Sequence, residues 1–255
     1  MVNFYRRVKS YIIRIDESKI KKTKLPFKII VYLTFISFNI LRWFLALICI
    51  NRVDTLADFY DKIYIHWYRG NEGHTQQSQG QTEFLIDITK NSDHIFEIGF
   101  NGGHSAETIL KNNKDCKIIS CDIGWHFYTK YGEWYLKKKY GDRLKLHIGD
   151  SKDIVPNLDQ EKYEFDLIFI DGGHEYNDAL QDIINCKKLA NKKTVLLLDD
   201  VLHNNQNNIY HFNSGPTKAW NELISKKFIS KLDYQEFKEK NIFRSFITGN
   251  YELKK

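Results

Sequence analysis

The 255-residue chain is 42% apolar and 27% charged, which excludes a wholly disordered protein and allows one domain with an appendage. Its net charge of +6 is uneven: residues 1–28 hold nine Lys or Arg against two acidic residues, so this arm carries +7 and the remainder −1. A nucleic-acid-binding protein would need basic residues on its folded body, so we predict no nucleic-acid partner.

An apolar segment follows the basic arm. Eighteen of the twenty-two residues from 29 to 50 are apolar, the interruptions being Thr34, Ser37, Asn39 and Arg42. Its length is that of a membrane span of about 20 residues, but an arginine within a span costs about 3 kcal/mol. Three interpretations stay open: a span, a membrane-surface anchor over residues 27–51, or a helix buried in a homo-oligomer or against the core.

The next stretch, residues 53–70, has apolar residues at helical spacing and predicts an amphipathic helix. We therefore assign residues 1–75 to the arm and two helices, and residues 76–255 to the main domain. The four cysteines form no C-x-x-C pair, which disfavours a zinc or redox motif. Their number and placement favour a reducing compartment, and we predict a cytoplasmic protein, with the membrane interpretation placing it on the cytoplasmic face.

The main domain has a repeating strand-and-helix pattern. Five short apolar runs alternate with helix-like stretches and lie at 94–100, 117–122, 144–150, 165–171 and 194–200. Such alternation predicts βαβ units and a mainly parallel sheet. Two further β-rich runs, 227–237 and 241–251, predict an antiparallel hairpin. The expected fold is a doubly wound, Rossmann-like α/β domain with a seven-stranded sheet that ends in this hairpin.

Acidic residues follow every one of the five predicted parallel strands. They are Glu97, Asp122, Asp150, Asp171 and the pair Asp199–Asp200. One such residue would usually be a helix cap, whereas ligands of doubly wound sheets bind at the carboxyl ends of the strands. Five acidic strand ends together indicate a binding site.

The loop from Glu97 to Ser105 follows the first strand and is rich in glycine. It lacks the G-x-G-x-x-G pattern of dinucleotide sites and the terminal Gly-Lys-Ser/Thr of phosphate-binding loops. Glu97 would repel a pyrophosphate and suits a cationic ligand.

The loop sequence E-x-G-x-N-x-G-H-S resembles motif I of class I S-adenosylmethionine-dependent methyltransferases, with Asn101 in place of the usual middle glycine. The resemblance implies that Asp122 binds the cofactor ribose and that Asp150 and Ser151 lie on the adenine side. The cofactor-binding residues that it implies are Glu97, Gly99, Asn101, Gly103, Ser105, Asp122, Asp150 and Ser151.

A second motif, D-G-x-H-x-Y, begins at Asp171 and resembles a methyltransferase subgroup with cephalosporin-hydroxylase-like and sugar O-methyltransferase members. With the Asp199–Asp200 pair it also resembles catechol-type, metal-dependent O-methyltransferases. This implies that Asp171, Asp199 and Asp200 hold Mg²⁺, and that Asp171 and His174 are catalytic, His174 as general base. The same residues can instead be helix caps, strand ends and a packed turn histidine.

The sequence thus predicts an O-methyltransferase acting on a hydroxyl of a small molecule, sugar or glycan precursor. A hydroxylase-like enzyme, an oxidoreductase or a non-catalytic binding protein on the same scaffold remains open. The polar loop 203–216 is expected to form a lid over the acceptor.

Overall fold

A computed structural model describes residues 25–65, 78–158, 164–202, 211–239 and 242–253. The basic arm up to residue 24, the predicted boundary at residues 75 and 76, and residues 203–210 of the predicted lid lie outside these ranges.

One mixed sheet of seven strands runs through the described part of the chain. The strands are β1 His94–Ile98, β2 Lys117–Asp122, β3 Leu144–Ile148, β4 Leu167–Ile170, β5 Val195–Asp199, β6 Ile229–Glu239 and β7 Ile242–Tyr251. Their order is β3-β2-β1-β4-β5-β7-β6. Strands β1 to β5 are parallel, and β7 pairs antiparallel with both β5 and β6. The predicted fold class, including the C-terminal hairpin, is confirmed.

Helices cover both faces of this sheet. They are α1 Leu25–Cys49, α2 Leu56–Lys62, α3 Gln79–Thr89, α4 His104–Asn112, α5 Thr129–Tyr140, α6 Ser151–Asn157, α7 Tyr176–Cys186 and α8 His211–Ser225. Because both faces are covered, a central strand such as β4 is buried at every position. Two apolar cores result, one on each face of the sheet.

The N-terminal helices pack against the main domain. Leu56, Phe59 and Tyr60 of α2 are fully buried in the same core as residues of α4 and α5. No helix in the described part of the chain combines the length and hydropathy that crossing a bilayer requires.

Two helices differ in length from their predictions. The helix predicted over residues 53–70 is α2, which ends at Lys62 because Tyr64 takes a left-handed backbone with φ of 56°. Helix α8 begins at His211 and includes Pro216, so residues 211–216 of the predicted lid loop 203–216 are helical. Gly215 packs tightly here, since a β carbon on it would lie 2.1 Å from the carbonyl oxygen of His174.

Candidate active site

The loop between β1 and α4 turns sharply beyond the carboxyl end of the sheet. Gly99 and Gly103 have φ values of 98° and 89°, and Asn101 has a φ of 48°. Asparagine is among the few residues that tolerate this left-handed region, which explains how Asn101 replaces a glycine here. Gly103 has no side chain to cap α4, so first-turn amides of that helix remain available to an anionic group.

Asp122, at the end of β2, is joined to this loop. Its Oδ2 accepts the amide of Asn101 at 2.7 Å, and its Oδ1 accepts the amide of Gly124 at 2.6 Å. The Asn101 side-chain oxygen in turn accepts the hydroxyl of Tyr128 at 2.8 Å. The two predicted cofactor residues are therefore held together by one hydrogen-bond network.

Glu97 is completely buried beneath the loop. Its Oε1 accepts the hydroxyl of Ser105, and its Oε2 accepts the hydroxyl of Ser120 at 2.5 Å. Burial raises the pKa of Glu97 to about 7 despite these two hydrogen bonds, because the charged form is poorly solvated. The structure thus brings Glu97 and Ser105 together, with the carboxylate tying β1 to the first turn of α4.

Asp150 and Ser151 lie at the end of β3 and the start of α6. The Asp150 carboxylate accepts the amide of Lys152 at 2.9 Å and so caps α6. The Ser151 hydroxyl donates to Asp182 at 2.5 Å. Burial raises the pKa of Asp182 to about 6.

A buried tyrosine from α2 also contacts the loop. The Tyr60 hydroxyl donates to the carbonyl oxygen of Gly102 at 2.6 Å, and its ring meets that of Tyr128 edge-on. Tyr60 was not predicted as a site residue, because residues 53–70 indicated only an amphipathic helix. No local pattern in the sequence reveals a contact that joins residues 42 positions apart.

The second half of the site lies at the ends of β4 and β5. Asp171, His174 and Asp200 each offer one atom that could bind a metal ion, and these three atoms all lie within 4.8 Å of one another. His174 Nε2 is 3.3 Å from Asp200 Oδ2, and Arg244 Nη1 is 3.1 Å from Asp200 Oδ1. Arg244, on β7, was not predicted, although it is the only arginine in the predicted hairpin.

Asp199 stands apart from this convergent set. One of its carboxylate oxygens accepts the amide of Asp200 at 2.7 Å, and the Asp199 side chain is not among the atoms that converge. Asp199 is the last residue of β5, whereas Asp200 lies beyond the strand with a left-handed φ of 58°, so the two neighbours do not present their carboxylates alike.

Crowding of carboxylates changes their acidity. Burial, and then the charge of Asp200, raises the pKa of Asp171 to about 8. Burial and the Asp200 charge also raise the pKa of Asp199 well above its usual range. Asp171 and Asp199 therefore resist ionisation in this buried cluster, and a cation bound beside them would favour their charged forms.

The two halves of the site meet at their backbones. A β carbon on Gly99 would lie only 1.8 Å from the carbonyl oxygen of Asp171. A pocket opens beside this contact and is lined by Ile170, Asp171, Gly172, Gly173, His174, Ala179, Leu198, Asp199, Asp200 and Pro216. Phe212 of α8 borders the same region, with its ring 6.3 Å from that of His174 and 4.6 Å from the Arg244 guanidinium carbon.

Part of the chain matches a known protein family. Residues 96–201 match the family model described as a methyltransferase domain. This match spans β1 to the end of β5 and so includes both halves of the site. Over these residues the chain is similar to a methyltransferase domain, which agrees with the predicted resemblance to class I S-adenosylmethionine-dependent methyltransferases.

Solved structures agree with this methyltransferase fold. The O-methyltransferase TomG from Streptomyces achromogenes, in complex with S-adenosylmethionine, has a TM-score of 0.60 at 16% identity, over 78% of this chain and 91% of that one. An O-methyltransferase from Bacillus cereus, in complex with S-adenosylhomocysteine, has a TM-score of 0.60 at 18% identity, over 78% and 92%. Podospora anserina methyltransferase PaMTH1 has a TM-score of 0.59 at 17% identity, over 78% and 89%. At such identities the likeness concerns the fold alone, and the sequence matches no curated protein.

Proposed function

We propose that this methyltransferase transfers the methyl group of S-adenosylmethionine to a hydroxyl of a small molecule, sugar or glycan precursor. The observation that carries the proposal is the cluster of Asp171, His174 and Asp200 beside the cofactor loop. Methyl transfer to oxygen needs a group that removes a proton and groups that fix the hydroxyl. The cluster contains both kinds of group.

The cofactor would lie over the loop from Glu97 to Ser105. Each Asp122 oxygen accepts one backbone amide and keeps a lone pair for a ribose hydroxyl. The first-turn amides of α4 suit the carboxylate of the methionine moiety. Glu97 lies beneath the loop, and a cationic ligand above it would favour the charged form of this buried carboxyl.

The acceptor half fits a divalent cation. The two carboxylates supply oxygen ligands of the kind that Mg²⁺ or Mn²⁺ prefers, with the His174 imidazole as a third ligand. Burial, and then the charge of Asp200, raises the pKa of Asp171, and a bound cation would favour its ionised form. We propose Asp171, His174 and Asp200 as the ligands, with Asp199 holding the Asp200 backbone. A bound cation would lower the pKa of the acceptor hydroxyl.

A cation-free route is the second candidate, and the His174–Asp200 contact favours it. His174 is partly exposed at the pocket, and its Nε2 is 3.3 Å from the Asp200 carboxylate. This is the arrangement of a general base with an orienting carboxylate. His174 would take the hydroxyl proton while the acceptor oxygen bonds to the methyl carbon. The sulfonium sulfur then leaves with the bonding electron pair as S-adenosylhomocysteine.

The proposal can be tested by screening hydroxylated acceptors for S-adenosylhomocysteine release, with and without a chelator. Loss of activity with the chelator, restored by Mg²⁺ or Mn²⁺, supports the cation route. Chelator resistance with loss of activity in His174→Ala supports the cation-free route. Binding of a nicotinamide dinucleotide in preference to S-adenosylmethionine would refute the proposed function.

A further inference from the structure

Helix α1 exposes a row of large apolar side chains along one side, which we call the outer face. Its members, with their exposed fractions, are Ile40 58%, Leu41 49%, Trp43 55%, Phe44 60%, Leu47 44% and Ile48 54%. Their spacing is that of one side of a helix. The only charged residue between positions 36 and 48 is Arg42, and it does not belong to this face.

The opposite side of α1 is fixed to the domain. Arg42 is 1% exposed, its Nε donates to the carbonyl oxygen of Ile63 at 3.3 Å, and its guanidinium carbon lies 5.1 Å from the ring centre of Phe127. Ala46 is fully buried. The outer face therefore cannot turn inward without breaking these contacts, and it is presented to whatever lies outside the domain.

An exposed apolar row of this size marks an interaction surface. The charge of the adjoining sequence indicates what it binds. The arm of residues 1–28 runs directly into α1 and carries a net +7. Apolar side chains next to a basic segment provide the two signals that together give stable attachment to anionic lipid. A second copy of the chain would instead bring a second arm of equal positive charge.

We infer that the outer face of α1 docks on an anionic lipid surface, with the helix lying in the plane of the interface, and that the net positive charge of the preceding sequence favours anionic over neutral lipid. Trp43 is suited to the interface, because indole rings favour the headgroup level of bilayers. The inference is independent of the reaction that the domain catalyses, since it concerns a surface outside the active site.

The test uses the full chain in co-sedimentation with vesicles of phosphatidylcholine alone or mixed with phosphatidylglycerol. We expect binding to the mixed vesicles that weakens with added salt. The double variant Trp43→Ser, Phe44→Ser should bind at least about tenfold more weakly, because two apolar side chains no longer enter the interface. The control Leu232→Ser, which changes a 56% exposed residue on β6, should bind like the wild type.

Two results would overturn the inference. One is failure of the wild type to sediment with either kind of vesicle. The other is a dimer in light scattering that the double variant converts to a monomer while vesicle binding is unchanged, since a second copy would then cover the outer face. Thermal unfolding of both variants should match the wild type, because the changed side chains are exposed.

Discussion

Gly99 and Asp171 are in backbone contact so close that a β carbon on Gly99 would lie 1.8 Å from the Asp171 carbonyl oxygen. Gly99 belongs to the loop that we propose for the cofactor, and Asp171 to the cluster that we propose for the acceptor. The transferred methyl group must lie between those two ligands. In the proposed arrangement, we expect this contact to fix the distance between the cofactor and the acceptor.

Gly99→Ala should destabilise the fold by about 4 kcal/mol or more, because one backbone would have to move away from the other. Gly141→Ala is the matched control: it also has a positive φ, of 62°, but a β carbon there meets nothing within 4 Å. We expect the control to cost only about 1 kcal/mol. Chemical denaturation measures the free energy of unfolding of both variants. Equal losses would mean that the close contact between Gly99 and Asp171 is unimportant.

Glu97→Gln should raise stability at alkaline pH and weaken cofactor binding. A buried acid with a raised pKa does not destabilise the fold while it is protonated. The destabilisation therefore begins near pH 4.5 and is complete above about pH 7. That difference corresponds to about 3 kcal/mol. We therefore expect a gain of up to about 3 kcal/mol near pH 8 that disappears near pH 4.

Thermal unfolding across this pH range measures the gain at Glu97, and calorimetry with S-adenosylmethionine measures the affinity. Glu133→Gln, at a partly exposed site on α5, is the control. An unchanged affinity in Glu97→Gln would remove Glu97 from the proposed cofactor site and leave it a purely structural residue.

Tyr60→Phe should weaken S-adenosylmethionine binding by about tenfold, since losing the hydroxyl leaves the buried Gly102 carbonyl without that donor, a cost of about 1–3 kcal/mol. Tyr135→Phe is its control: the Tyr135 hydroxyl is also buried but has no hydrogen-bond partner among the described residues. That change should leave affinity intact and stability equal or higher. If both variants bind the cofactor equally, α2 does not position the loop.

Arg244→Gln should tighten Mn²⁺ binding and lower stability in the absence of a divalent ion. The Arg244 guanidinium offsets the Asp200 charge at 3.1 Å, and its removal leaves the carboxylates in greater need of a cation. Arg143→Gln is the control, because Arg143 bonds backbone carbonyls such as that of Leu110 at 2.7 Å, away from the cluster. Calorimetry and unfolding with and without Mn²⁺ distinguish the two. If Arg244→Gln and Arg143→Gln lose the same stability, and Arg244→Gln does not bind Mn²⁺, the proposed cation site is contradicted.

The sheet could be predicted from the sequence because each parallel strand is a short buried run with an acidic end. Such a pattern is local and can be recognised without knowledge of the tertiary contacts. Asp122 and Asn101 were both predicted near the carboxyl edge of the sheet, and the structure joins them by a hydrogen bond because β1 and β2 are adjacent strands. Residues 211–216 were wrongly predicted to belong to a loop, since Gly215 and Pro216 are typical of loops. Their helical conformation depends on packing against the backbone at His174.

The contacts that complete the site were less accessible to prediction. Tyr60 and Arg244 reach their partners across 42 and 44 residues, and only the folded chain brings these pairs together. His174, and not Asp199, converges with Asp171 and Asp200, and the left-handed φ of 58° at Asp200, just beyond the end of β5, is not visible in the sequence. The role of each residue in catalysis stays a prediction.

The hydrogen bond from Tyr128 to Asn101 has an evolutionary consequence. A glycine at position 101 would need no support, whereas asparagine is held in its left-handed conformation by a side chain 27 residues away. We expect the two positions to vary together among relatives, with a hydroxyl at 128 wherever asparagine stands at 101. Searches that require glycine throughout the motif would pass over such sequences, and this pair of positions offers a way to recognise them.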